Sequence, residues 1–184
     1  MVSRFFSLKG GLFAATSIAV AAILPQAEAA SRDKVFFDNA AGAWKGPGEI
    51  VAGKYKGTKF TCNLIGEPAP DAEAGIKLDG ICRVGVFKQP MSAVITQVGG
   101  TYKGKFLDGA EGKGLDVVSG AVNGDKMVVG INRAKLNGAM VARMQNNNVM
   151  NVTISVKVEE DMVPVIGLAL TRDTDPIAVG SIDP

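Results

Sequence analysis

Two thiols, Cys62 and Cys82, and no histidine set the chemistry open to this chain. A thiol pair can close a disulfide, or persist as free buried thiols or a reactive site, according to the redox state of its compartment. The missing imidazole excludes a Ser-His-Asp relay and most zinc sites, because each needs that group to move a proton or donate a lone pair. The remaining acid and base candidates are Glu49, Asp108, Glu111, Asp116 and Asp161. No spacing brings two of them onto one face, and carboxylates of this kind are mostly solvated. Asp108 to Asp116 lacks the dense oxygen spacing of a calcium loop. Gly109, Gly112 and Gly114 lack the lysine-hydroxyl pair and following helix of a phosphate loop. The expectation is therefore no metal, no cofactor and no catalytic residue. Lys54, Lys56, Lys59, Lys103 and Lys105 form basic clusters that could meet anionic polymers or lipid headgroups. The plainer reading is a solvated strand face.

The elements around the two cysteines position them. In Lys59 to Leu64 the apolar residues Phe60, Cys62 and Leu64 alternate with polar ones, the period of two of a half-buried strand. In Ile76 to Val86 the series Ile76, Leu78, Cys82, Val84 and Val86 shares one face, with Lys77, Asp79 and Arg83 on the other. Gly66 to Gly75 is rich in turn formers and reads as the loop between them. If Cys62 faces Cys82, each facing pair of positions sums to 144, so Phe60 meets Val84 and Leu64 meets Gly80. Register and cross-link agree, and directly opposed residues lie close enough for a disulfide.

Compartment follows from the first residues. Arg4 and Lys9 precede an apolar run from Gly11 to Leu24 that ends in Ala27-Glu28-Ala29, the pattern of a secretory signal peptide over 1–29 with cleavage after Ala29. The run is too short for a membrane anchor, so the mature chain is expected in the periplasm, not membrane-spanning, where thiols oxidise. Removing residues 1–29 from 184 leaves 155, one domain's worth. It also removes two basic residues and one acidic one, taking the formal charge from +2 to +1. That balance gives no support for nucleic-acid binding. The sequon Asn151-Val152-Thr153 is expected to be idle in a bacterial periplasm.

Residues 30–43 read as a turn or short helix plugging one end of the fold. Trp44, the only tryptophan, opens an alternation with Gly46, Gly48 and Ile50, whose glycines suggest a bent strand or close packing. Gly99-Gly100 and Asn123-Gly124 are tight hairpin signals. Residues 133–144 read as a turn followed by a strand. Val152, Ile154, Val156 and Val158 face inward by alternation, and Ile166, Leu168 and Leu170 follow in the last strand. Pro164 fits a strand entrance or an edge, and 173–184 reads as a tail. This gives an all-β chain, a single antiparallel β-barrel of about 9–10 strands over 44–172. Polar outward faces and few aromatics argue against an outer-membrane barrel.

Phe37-Asp38 followed by Gly42-Ala43-Trp44 resembles the opening of lipocalin-like, calycin-type barrels. That resemblance implies a tryptophan sealing the closed end, with Arg172 packed on it. The stretches Gly46 to Thr58, Cys82 to Phe87 and Val163 to Gly167 are similar to a group of small secreted alphaproteobacterial proteins, which implies a periplasmic location and no established activity. The leading expectation is a non-enzymatic barrel that binds a small apolar ligand or lipid, with Trp44, Met91, Tyr102, Phe106, Met127 and Met140 lining the cavity. The alternative is a structural or interaction protein of the cell envelope, inhibitor-like, acting through a protein partner.

Overall fold

A chain of short alternating strands buries its apolar faces most economically by closing on itself, which also removes the open sheet edges that invite aggregation. The computed structural model describes residues 26–107 and 114–174. The signal sequence expected over 1–29 lies largely outside them, as does the tail beyond Thr174. One helix, α1 (Gln26–Ala40), precedes β1 (Gly42–Ile50), β2 (Lys59–Pro68), β3 (Gly75–Val84), β4 (Phe87–Val98) and β5 (Thr101–Leu107). There follow β6 (Leu115–Asn123), β7 (Lys126–Arg133), β8 (Leu136–Asn146), β9 (Val149–Val158) and β10 (Asp161–Arg172). Every strand pairs antiparallel with its sequence neighbours, and β1 pairs with β10 to close the barrel.

The register around the cysteines is the one the alternation predicts. Thr61 faces Arg83, Cys62 faces Cys82 and Leu64 faces Gly80. Cys62 and Cys82 form a disulfide across a Cα separation of 4.0 Å. Gly66, Glu67 and Pro68 remain in β2, paired with Leu78, Lys77 and Ile76, so the predicted loop is shorter than its turn-forming residues suggested. Residues 133–144 do turn and then extend: Ala134 has φ 52°, and β8 begins at Leu136. Gly99 and Gly100, at φ 59° and 78°, make the left-handed two-residue turn that matches strand twist.

The barrel has no edge for Pro164 to occupy; the register instead shifts between Pro164 and Ile166, and this bulge accommodates the missing amide. Val84, Val86 and Val158, expected inside, are exposed. They lie at strand ends beyond the wall they would have packed against. The outward positions of β1, β2, β3 and β5 carry Lys45, Asn63, Lys77, Asp79, Lys103 and Lys105, which interrupts any apolar band on those strands. No helix among the described residues is long and apolar enough to cross a membrane.

Helix α1 stoppers the end where β1 begins. Phe36, Phe37 and Ala40 are buried, and Trp44 is 1% exposed beneath them. The Trp44 indole N–H donates to the carbonyl of Ala40 at 2.9 Å, fastening the strand to the helix terminus. Arg172 lies over the Trp44 ring at 4.4 Å. Its guanidinium donates to the carbonyls of Asn39 at 2.6 Å, Ala41 at 2.7 Å and Asn147 at 2.8 Å. A helix C-terminus leaves carbonyls without partners and attracts a cation; Arg172 meets both needs. The pairing implied by the lipocalin-like opening is thus present, in a barrel with two strands more than the eight of lipocalins. Gly42, between helix and strand, sits at φ 111° with Arg172 where a Cβ would project.

Candidate ligand cavity

The inward residues fall into two layers. Near α1, Trp44, Tyr102 and Val129 are sealed from solvent and stay off the cavity wall. Toward the other end, Phe60, Leu78, Met91, Met140, Ile154 and Leu168 point inward yet are only partly buried. Side chains that face the axis and still keep exposed surface must face a hollow. That hollow is a cavity of about 310 Å³, floored by Phe36, Phe37 and Ala40 of the helix and walled by residues of β2 to β10, the buried Ile76, Ile95, Met150 and Leu170 among them. Its lining is apolar apart from Arg133, the one charged side chain on it among the described residues, half-buried near the start of the β7–β8 turn.

Of the residues expected to line a cavity, Met91, Phe106, Met127 and Met140 do so. Trp44 and Tyr102 do not; they are sealed into the floor at the helix end. Tyr102 packs its ring against Phe37 at 5.4 Å, and its hydroxyl donates to the Asp33 carboxylate at 2.7 Å, with the Gln97 amide on the same oxygen at 3.3 Å. The aromatic type correctly marked both as interior, but height along the barrel depends on register with distant strands. Phe60, Leu78, Ile154 and Leu168 were legible as inward-facing and were not singled out as lining. Arg133 carries no such signal, because it stands at a strand end where alternation stops. Cys62 and Cys82 put their disulfide on the cavity wall.

The hydroxyl of Tyr102 has a pH consequence. Burial first, and the Asp33 carboxylate second, hold its ionisation well above the ordinary tyrosine range. A group whose folded pKa is raised contributes stability fully below its unfolded value, about 10 for tyrosine, and loses it as pH rises through the folded value. Tyr102 is therefore expected to stay protonated until the barrel opens in alkali. Absorbance titration at the tyrosinate band checks this: wild type and Tyr102→Phe should coincide up to the unfolding transition, and an extra tyrosinate in folded wild type would contradict it.

None of the other candidates assembles a site. Asp116 is exposed, 3.9 Å from Lys105, and Asp161 is exposed in the last hairpin. Glu49 is half-buried on β1, in register with Lys59. Asp108, Gly109, Glu111 and Gly112 lie outside the described residues, and Gly114 follows them against the Phe106 carbonyl. Among the described residues no three His, Cys, Asp or Glu side chains gather as metal ligands would. Lys103 and Lys105 are exposed on β5, while Lys54, Lys56 and Lys59 stand at the end away from the helix.

The fold has a solved counterpart. The chain is similar to the crystal structure of Rv2717c from M. tuberculosis, with a TM-score of 0.57 and 11% identity over 76% of this chain and 96% of that one. At that identity the likeness is one of fold. No family model and no curated protein matches the sequence.

Proposed function

We propose that the protein binds a small apolar molecule or the acyl chain of a lipid inside the barrel and performs no chemistry on it. The observation that carries this reading is the unfilled barrel interior above α1, whose wall offers methyl, methylene and ring surface and few polar groups. Apolar cavities of about 150 Å³ stay dry and take up benzene-sized guests. A cavity of about 310 Å³ has room for a larger one, and lies within the ordinary range of ligand pockets. The disulfide and the expected export signal support a periplasmic place of action. The rival reading, a structural or interaction protein of the envelope acting through a protein partner, called for a filled interior with an exposed apolar patch; the hollow favours the ligand binder.

Organic extraction and mass spectrometry of the purified protein should find a bound apolar species, and a solvatochromic fluorophore should bind saturably at one site. Leu168→Trp, which adds a ring where a partly buried side chain faces the hollow, should weaken fluorophore binding at least ~10-fold by occupying the space of its methylenes. Empty extracts together with unsaturable fluorescence would overturn the reading.

A further inference from the structure

The end of the barrel opposite α1 is built from strand ends whose apolar residues have nothing to pack on. Two neighbouring connections there stand out. The loop from β1 to β2 presents Val51 and Tyr55, and the β3–β4 hairpin presents Val84, Val86 and Phe87. Val86 is 88% exposed, Phe87 76% and Tyr55 63%. β2 and β3 pair along their length, so the two connections form one lip. Gly85, at φ 57°, makes the hairpin a two-residue turn that holds Val86 at its apex, and the Cys62–Cys82 disulfide ties the strands just behind. The turn and the cross-link fix the backbone of the hairpin tip before contact, which lowers the ordering cost there.

Charge identifies what the lip meets. Lys54, Lys56 and Lys59 belong to its first connection, Arg83 and Lys88 to its second, and all are exposed. Lys54 lies 5.4 Å from the centre of the Tyr55 ring, and none of the five forms an ion pair with a described carboxylate. Elsewhere several basic residues find partners, as in Lys34–Asp38, Lys45–Asp173 and Lys77–Asp79, while Lys103, Lys126 and Lys135 pair with no described carboxylate but stand apart from one another. The hairpin flanking the lip on its β1 side, β9–β10, has its own exposed Val158 and Met162 but carries Glu159, Glu160 and Asp161. Apolar tips interleaved with uncompensated cations on one side of the mouth match the two layers of an anionic lipid surface, headgroup charge outside and acyl boundary beneath.

We propose that the lip formed by the β1–β2 loop and the β3–β4 hairpin docks on an anionic lipid bilayer, with Tyr55, Val86 and Phe87 entering the interface and the flanking basic residues on the headgroups. This stands apart from the cavity: it requires no bound ligand.

Flotation of the full chain with vesicles tests it. Vesicles containing phosphatidylglycerol should carry the protein at low salt at least ~10-fold better than phosphatidylcholine alone, since each basic residue near such a surface contributes about fivefold. Val86→Asp/Phe87→Asp and Lys54→Glu/Lys56→Glu should each reduce flotation about 10-fold or more with an unchanged thermal melt, while Val158→Asp/Met162→Asp should float as wild type. Hydrogen exchange on unmodified protein, independent of any variant, should show slowed amides at 53–57 and 84–88 only with anionic vesicles. Absent flotation, equal flotation on phosphatidylcholine, full flotation of the Val86/Phe87 variant, or a lip that cross-links to a protein without binding vesicles would each overturn the proposal.

Discussion

Trp44→Ala is expected to destabilise the barrel by about 4 kcal/mol, the middle of the range for truncating a fully buried aromatic residue. Three losses coincide. The indole leaves a void in the layer beneath Phe36 and Phe37, which the strand backbone cannot collapse to fill. The Ala40 carbonyl loses its donor at the helix end. Arg172 loses the ring it lies on, while its bonds to Asn39 and Ala41 remain. Denaturant unfolding followed by circular dichroism reads the change, since the substitution also removes the only indole fluorophore. The melting temperature should fall by roughly 8 to 16 °C, at about 2 to 4 °C per kcal/mol for a chain of this size. Trp44→Phe should recover much of the packing but not the hydrogen bond. A Trp44→Ala protein within about 1 kcal/mol of wild type would mean that the helix is not anchored through this residue.

Sequence periodicity read the direction of side chains well and their height poorly, for one physical reason. Alternation is a local property of a strand, so Cys62, Leu64, Val152, Ile154 and Leu168 could be placed on the inner wall from their neighbours alone. Height is set by the stagger between strands far apart in sequence, and nothing local encodes it. Val84, Val86 and Val158 therefore continued an inward pattern past the point where the barrel ends. Trp44 and Tyr102 were assigned to the cavity when their register puts them in the floor. Pro90 is tolerated within β4 because β4 pairs there with β3 alone, β5 joining only from Ser92 onward, so one side of the strand asks for no amide. The hollow itself was an inference from strand number; whether ten strands enclose space depends on how many large side chains reach the axis at each level. Here α1, Trp44 and Tyr102 close one end, and above the helix the methionines and aliphatic residues stop short of the axis.

Removing the disulfide, as Cys62→Ala/Cys82→Ala, is expected to lower stability by about 3 kcal/mol through the freedom returned to the unfolded chain, for a loop closed over 20 positions. The folded barrel should survive the change, because the same pairing is specified independently: eight consecutive pairs from Thr61–Arg83 to Pro68–Ile76 keep one register. A one-residue slip would turn Leu64 and Ile76 out to solvent and bring Asn63 and Lys77 in. The effect should therefore appear chiefly in the unfolding midpoint, with far-ultraviolet circular dichroism unchanged and the melting temperature lower by roughly 6 to 12 °C. Chemical reduction of wild type should give a similar loss, which separates the covalent tie from the packing of the sulfur atoms. A single Cys62→Ala variant should be at least as unstable as the double, since it leaves Cys82 free on the cavity wall without restoring the constraint. Should the double variant melt with wild type, the hairpin's register rather than its cross-link would be what holds the mouth of the barrel together.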